Sequence, residues 1–123
     1  MIFDEITSGF KDNYGGLHLK LKVSPDIAIF GKSIGNGYPI SAIIGKKKIM
    51  QVAQETFISS TMWTDRLGFI AANTTLKKLK ESNINKIIAN YGNKIKTGWK
   101  KLANKNNIKI GISGQDAIPY LRF

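Results

Sequence analysis

One stretch of the sequence decides the fold class: Ser24-Pro25-Asp26-Ile27-Ala28-Ile29-Phe30-Gly31-Lys32-Ser33. It opens with a turn signal, continues with four consecutive apolar residues and reaches a glycine at position 31. A short apolar run between two such signals is typical of a strand buried on both faces. The stretch therefore predicts a central strand over residues 27–30, with Lys32 directly after its end.

Two other apolar segments also predict buried strands. Residues 2–5 read IFDE, and we interpret them as the end of a strand whose first residues are missing. Residues 40–44 predict another strand, which Gly45 closes. Residues 7–21 carry three glycines and are interpreted as a loop.

Helical spacing of apolar residues begins after this strand region. Residues 46–55 predict a short amphipathic helix, and Asp65 is a good N-cap for a helix that runs to about Glu81. A second helix is predicted over residues 83–103, with isoleucines on one face and lysines on the other. Alternating isoleucines at residues 108–113 predict a half-buried strand.

These elements predict an α/β fold. Only three strands are predicted to be buried, and both edges of their sheet would be open. We therefore expect a fragment of a larger α/β protein. Residues 1–80 would be the end of one domain, and residues 81–123 the start of another.

The positive charge of the chain lies in its second half. The formal net charge is +11, and residues 66–123 hold 12 basic residues against two acids. A nucleic-acid or anionic-membrane partner is one explanation. We favour solvated helix faces, because nucleic-acid readers usually use arginine and this segment is rich in lysine. A basic nucleic-acid-binding module stays open as an alternative of another class.

The composition also bounds where the chain functions. No apolar run is long enough to span a bilayer, and residues 1–5 do not resemble a signal peptide. Cysteine is absent, so there is no disulfide framework. We expect a soluble cytoplasmic protein without a membrane partner.

Three features are candidates for chemistry: Asp4 at a strand end, Lys32 after the next strand, and the polar loop 59–61 before a helix. Ligands of open α/β sheets gather at the carboxyl ends of strands. Pyridoxal phosphate (PLP) chemistry needs a lysine amine, a carboxylate near the pyridine nitrogen and hydroxyls for the phosphate. The ordinary alternatives are a surface lysine, a turn-capping aspartate and helix-capping hydroxyls.

Other residues receive structural interpretations. His18, the only histidine, lies in a predicted loop without a partner and is interpreted as structural or surface. Trp63, Tyr91 and Trp99 are interpreted as packing groups, and no metal site is predicted. Residues 31–33 match the tail of a nucleotide-binding P-loop. Asp26 stands where that motif needs a glycine, so we reject a nucleotide site.

Several blocks follow one another in a recognisable order: Ile2-Phe3-Asp4-Glu5-Ile6-Thr7-Ser8-Gly9-Phe10, Tyr14-Gly15-Gly16, Ser24-Pro25-Asp26-Ile27 and Phe30-Gly31-Lys32-Ser33-Ile34-Gly35-Asn36-Gly37-Tyr38-Pro39. Their order resembles that of the class III PLP-dependent aminotransferases, closest to the branch of glutamate-1-semialdehyde aminomutase and its sugar-metabolism relatives. The resemblance covers nearly the whole chain and is most specific from Asp4 to Lys32. It implies fold type I, the aspartate-aminotransferase-like fold, with part of the large domain and the start of the α+β small domain.

The resemblance also implies roles for individual residues. Asp4 would pair with the pyridine nitrogen of PLP, Ile6 would pack on the ring face, and Lys32 would hold the cofactor as a Schiff base. Thr61 would reach the cofactor phosphate of a neighbouring subunit, which implies a homodimer. The substrates would be a small amino donor and a keto or aldehyde acceptor.

Two departures limit what the resemblance implies. Residues 63–66 replace the aminomutase pattern of small residues followed by Asn-Pro, so we expect transamination and keep the aminomutase as the runner-up. Family members are also several times longer, and their glycine-rich phosphate loop would lie before Met1. We therefore expect this segment alone neither to bind PLP tightly nor to turn over.

Overall fold

A computed structural model describes residues 1–123 and contains two small sheets and four α-helices. The first half holds β1 (Ile2–Asp4), α1 (Leu17–Lys20), β2 (Ile27–Phe30), β3 (Ala42–Gly45) and α2 (Lys47–Met50). The second half holds α3 (Arg66–Glu81), α4 (Ile84–Lys105), β4 (Gly111–Gln115) and β5 (Ile118–Arg122). Short 3₁₀ turns lie at Lys32–Ile34 and Gln51–Glu55.

The first sheet has the order β1-β2-β3. Strands β1 and β2 are parallel, with Asp4 opposite Ile29, whereas β3 runs antiparallel to β2. The predicted central strand is confirmed with its predicted bounds. Because β1 and β2 are parallel, the residues that follow Asp4 and Phe30 leave the sheet at the same edge.

Within the first sheet, only the central strand has buried residues. Ala28 and Phe30 of β2 are 3% and 6% exposed, whereas Ile43 and Ile44 of β3 are 57% and 54% exposed. The prediction that β1 and β3 are buried strands is therefore wrong for this chain by itself. The side chains of Ile2, Ile43 and Ile44 project from the faces of the sheet, and this chain covers those faces only in part.

Helix α3 begins where the sequence predicts. Asp65 is its N-cap, and the carboxylate accepts a hydrogen bond of 2.9 Å from the amide of Leu67. The hydroxyl of Tyr38 donates to the other oxygen of the same carboxylate. This hydrogen bond attaches the start of α3 to the loop that follows Lys32, and it raises the pKa of Tyr38 and lowers that of Asp65.

Helix α4 is longer than predicted and ends in a Schellman motif. Asn107 adopts a left-handed conformation, and the amide of Ile108 donates to the carbonyl of Ala103 at 2.9 Å. Ile108 therefore caps the helix. The predicted strand over residues 108–113 is wrong at its start, because β4 begins at Gly111.

A hairpin of β4 and β5 packs against α4, and Asp12 attaches both to the first half. The Asp12 carboxylate accepts the amide of Ala117 at 3.1 Å and the amine of Lys20 at 3.0 Å. Its carbonyl accepts the side-chain amide of Asn85.

The domain boundary near residue 80 stays a prediction. None of the helices is both long and apolar enough to cross a membrane.

Candidate cofactor site at the ends of β1 and β2

Asp4 ends β1 and carries an exposed carboxylate. One of its oxygens accepts a hydrogen bond of 2.9 Å from the amide of Ile6, which turns the chain away from the sheet. The other oxygen accepts no hydrogen bond from the chain. Asp4 therefore presents one free carboxylate oxygen at the carboxyl edge of the sheet.

Lys32 lies two residues after the end of β2 and has a strained backbone. Its φ is +42°, in the left-handed region that residues other than glycine rarely occupy. Such strain is concentrated at functional sites, where surrounding contacts hold it in place. The amine of Lys32 donates a hydrogen bond of 2.7 Å to the hydroxyl of Thr7 and pairs with no carboxylate.

Ile6 connects the two strand ends by packing. A Cβ atom placed on Gly31 would lie 3.3 Å from Cγ2 of Ile6, so this side chain touches the backbone just before Lys32. Together with the Thr7 contact, it makes Ile6 and Thr7 direct neighbours of Gly31 and Lys32. The structure thus brings three of the four predicted site residues, Asp4, Ile6 and Lys32, to one edge of the sheet.

Two clefts flank this edge. The smaller has a volume of about 280 Å³ and is lined by Asp4, Thr7, Ser8, Gln115, Ile118 and Tyr120. The larger has a volume of about 760 Å³, and its polar lining includes Lys11, Lys32, Ser33, Asn36, Thr74, Thr75 and Lys78. Because Thr7 lines the first and Lys32 the second, the hydrogen bond between them links the two clefts.

The larger cleft is basic. Three lysines line it, no carboxylate does, and none of the three belongs to an ion pair. The hydroxyl oxygen of Ser33 is buried beside it without a hydrogen-bond partner. A volume of this size lies within the range of small-molecule sites. The cleft is therefore suited to a small molecule that carries negative charge.

Thr61 lies apart from this edge. It is exposed in the loop between Thr56 and Asp65 and lines neither cleft. The same loop carries several apolar residues, of which Phe57 is 96% exposed.

Trp63 and Tyr91 are also mostly exposed, so the packing role that we predicted for them is wrong within this chain, whereas Trp99 is half-buried.

The interpretation of His18 as a residue without a partner is wrong. His18 is buried, and its Nδ1 lies 2.9 Å from Oε1 of Glu5, which is 1% exposed. Burial acts to raise the pKa of Glu5, but hydrogen bonds from Ser8 and from the amides of His18 and Leu17 outweigh it, and the pKa lies below its usual range. The two residues lie 13 positions apart in the chain, so no helix or strand periodicity indicates the pair.

Comparison with protein families gives one match over most of the chain. The family model described as Aminotransferase class-III matches residues 1–115. The 3-aminobutyryl-CoA aminotransferase of Cloacimonas acidaminovorans (strain Evry) is 36% identical over 124 residues, which cover 100% of this chain and 30% of that protein. A glutamate-1-semialdehyde 2,1-aminomutase of Sulfurihydrogenibium sp. (strain YO3AOP1) is 30% identical over 116 residues, 92% of this chain and 27% of the relative.

Solved structures share the fold. The FumI protein of Sphingopyxis sp. MTA144, solved as its PLP internal aldimine form, has a TM-score of 0.92 at 24% identity and covers 98% of this chain and 29% of its own. An omega-transaminase from Sphaerobacter thermophilus has a TM-score of 0.85 at 25% identity, over 98% of this chain and 28% of its own. The predicted fold is confirmed, and the chain spans about 30% of the length of its curated relatives. The chain belongs to the class-III aminotransferase family.

Proposed function

We propose that this chain is part of a PLP-dependent aminotransferase in which Lys32 holds the cofactor covalently. One observation carries the proposal: two parallel strands deliver a carboxylate and an unpaired amine to the same sheet edge, with Thr7 between them. Membership of the family supports it. So does the PLP form in which the structural neighbour FumI was solved.

The residues at this edge fit PLP. Asp4 has a free carboxylate oxygen for the pyridine nitrogen, Ile6 has an apolar side chain for a ring face, and the amine of Lys32 is not neutralised by an acid. When bound, PLP supplies an electron sink for the bonds of the substrate carbon that carries the amine.

Each residue has a distinct task in this proposal. The negative charge of Asp4 favours the protonated pyridine nitrogen. Lys32 would hold the cofactor covalently through its amine. The same amine is the group that would carry a proton to and from the substrate α-carbon. Thr7 keeps that amine near the sheet edge.

The basic cleft indicates the class of substrate. We propose a small amino donor and a keto or aldehyde acceptor, at least one of which carries a carboxylate or phosphate. Lys11 and Lys78, which both line the cleft, would attract that group. The relative from Cloacimonas is named for a CoA ester, a strongly anionic molecule, which agrees with this charge.

A homodimer is the proposed assembly, with Thr61 reaching the cofactor phosphate of the neighbouring subunit. Phe57 and Trp63 are 96% and 58% exposed on either side of Thr61. Apolar groups exposed this close together are typical of a protein interface. A contact made there would place Thr61 outside its own site, which agrees with its absence from both clefts.

Two other functions rank lower. The aminomutase reaction needs the same Asp4 and Lys32, and aminomutases are among the relatives, so it stays the runner-up. A nucleic-acid-binding module is not favoured, since the aminotransferase family model matches through residue 115 and so includes every lysine of α3 and α4. The cytoplasmic location stays a prediction.

Borohydride reduction tests the covalent role of Lys32 in the full-length protein. With PLP present, we expect the peptide that contains Lys32 to gain the mass of the reduced cofactor. Lys32→Ala should remove the label and lower activity by at least about a thousandfold. Lys46→Ala is the matched control, because Lys46 pairs with Asp26 at the other end of β2. Labelling that persists in Lys32→Ala would disprove the proposal.

A further inference from the structure

We propose that Glu5 and His18 are positioning residues that set the separation of Asp4 and Lys32. This inference rests on the proposed function, because it assigns a task to residues that support its site. Neither side chain reaches the clefts that flank the sheet edge. Both are buried directly behind it.

The ring of His18 contacts both strands that carry the site. It lies edge-on to Phe3 at a centroid distance of 5.8 Å and to Phe30 at 6.5 Å. Phe3 directly precedes Asp4, and Phe30 stands two residues before Lys32. A single imidazole therefore touches the last aromatic residue of each strand before the chain reaches a candidate cofactor residue.

Glu5 fixes the position of that ring. Its Oε1 contacts Nδ1 of His18 at 2.9 Å and also accepts the amide of His18 at 2.9 Å. The hydroxyl of Ser8 donates to Oε2. With these contacts the carboxylate is fully hydrogen-bonded despite its burial, as a stable buried charge requires.

The backbone of Glu5 transmits this arrangement to the site. Its amide donates to the carbonyl of Ile29 at 2.8 Å and extends the pairing of β1 with β2 beyond Asp4. Its carbonyl accepts the amide of Gly9 at 2.8 Å and closes the turn that contains Thr7. The residue that holds His18 thus also holds Asp4 on one side and the Thr7 turn on the other.

Space around the pair leaves little freedom. A Cβ atom on Gly16 would lie 2.3 Å from Nδ1 of His18 and 2.7 Å from Oε1 of Glu5. The imidazole cannot shift toward Gly16 without moving that backbone. A change of ring size at position 18 should therefore move Phe3 and Phe30, and with them the two strand ends.

The test compares two substitutions of His18 in the full-length enzyme. Asn places its side-chain NH₂ close to the position of the imidazole Nδ1, so His18→Asn keeps the donor to Glu5. His18→Leu removes the side-chain donor and leaves the carboxylate with Ser8 and the backbone amides as its partners. Ala103→Gly is the control for stability alone, since Ala103 is buried at the far end of α4.

Three quantities are measured for each variant: the PLP dissociation constant of the apoenzyme by absorbance, kcat, and the unfolding temperature. Misplacement of catalytic groups by about 1 Å can cost about a hundredfold in rate. We expect His18→Leu, which loses both the ring and the donor, to weaken PLP binding and lower kcat by at least about tenfold each. His18→Asn loses the ring but keeps the donor to Glu5, so its losses should be smaller, at about three- to tenfold. Ala103→Gly should lower only the unfolding temperature.

Unchanged PLP affinity and kcat in His18→Leu would overturn the inference, as would equal losses in Ala103→Gly. If His18→Leu does not fold, Glu5→Gln takes its place, because it keeps the side-chain shape, removes the charge and replaces one acceptor oxygen by an NH₂ donor. We expect weaker PLP binding there too, and wild-type affinity would overturn the inference. The borohydride test of Lys32→Ala does not depend on His18 or Glu5. It therefore shows separately whether the proposed function itself is wrong.

Discussion

The amine of Lys32 donates a hydrogen bond of 2.7 Å to the hydroxyl of Thr7, and this bond joins the turn after β1 to the turn after β2. It is the polar contact between the two strand ends that lies nearest to the proposed chemistry. Thr7 is a neutral partner, so it orients the amine without competing as a base. This contact gives the lysine a defined position before any substrate binds.

The first prediction removes that hydroxyl. Thr7→Val keeps the side-chain shape, so we expect normal folding and covalent attachment of PLP to Lys32. The amine loses its hydrogen bond and becomes less ordered, and kcat should fall by about three- to tenfold with little change in KM. Thr97→Val is the control, because the hydroxyl of Thr97 contacts only the carbonyl of Asn93 in α4. Equal kcat in both variants would show that Thr7 has no positioning role.

The second prediction concerns the charge of the larger cleft. Lys78→Met removes an unpaired lysine that lines it, whereas Lys77→Met removes the neighbouring lysine, which pairs with Glu81 outside it. With pyruvate as an anionic acceptor, Lys78→Met should raise KM about fivefold, and the difference should shrink as salt is added. With butanal as an uncharged acceptor, KM should not change.

Two results would contradict this assignment. One is an equal effect of Lys77→Met on the KM for pyruvate. The other is an effect of Lys78→Met that is the same for pyruvate and butanal. Either result would show that Lys78 does not contact the charged part of the substrate.

Local signals account for what the sequence predicts correctly. The bounds of β2 follow from four apolar residues between a turn and a glycine, and the start of α3 follows from one capping aspartate. Both depend on residues a few positions apart. The placement of Asp4 and Lys32 at one sheet edge is also predictable, since it needs only two consecutive parallel strands.

Long-range contacts account for what the sequence misses. Glu5 and His18 are in contact although they lie 13 positions apart in the chain, and no helix or strand periodicity predicts that contact. The strand expected at Ile108 begins later because Ile108 caps α4. This cap forms because Asn107 adopts the left-handed conformation. The exposure of Ile43 and Ile44 could not be predicted either, because an apolar run does not indicate whether another part of the protein packs on it.

The third prediction uses the pKa of Glu5. Hydrogen bonds hold this pKa below its usual range in the folded protein, so the charged carboxylate stabilises the fold at neutral pH. This contribution is complete above about pH 4.3, the ordinary pKa of a glutamate, and is lost as pH falls further through the lowered value. We expect the stability difference between wild type and Glu5→Gln to be constant from pH 7 to 5 and to shrink below pH 4. Urea unfolding of both proteins measures it, and a difference that grows with acid would refute the assignment.

The last prediction separates two glycines of α4. A Cβ atom on Gly92 would lie 1.7 Å from the carbonyl oxygen of Asp116, whereas a Cβ atom on Gly98 would meet nothing within 4 Å. Gly92→Ala must therefore push the β4–β5 hairpin away from the helix, and overpacking of this kind costs about 1–3 kcal/mol. Gly98→Ala should stabilise the helix by about 0.5–1 kcal/mol, because alanine loses less backbone freedom on folding. Unfolding temperatures of the full-length protein should move in opposite directions. A fall of similar size in both would mean that helix α4 and the hairpin do not approach each other at Gly92, and that the glycine there has no packing role.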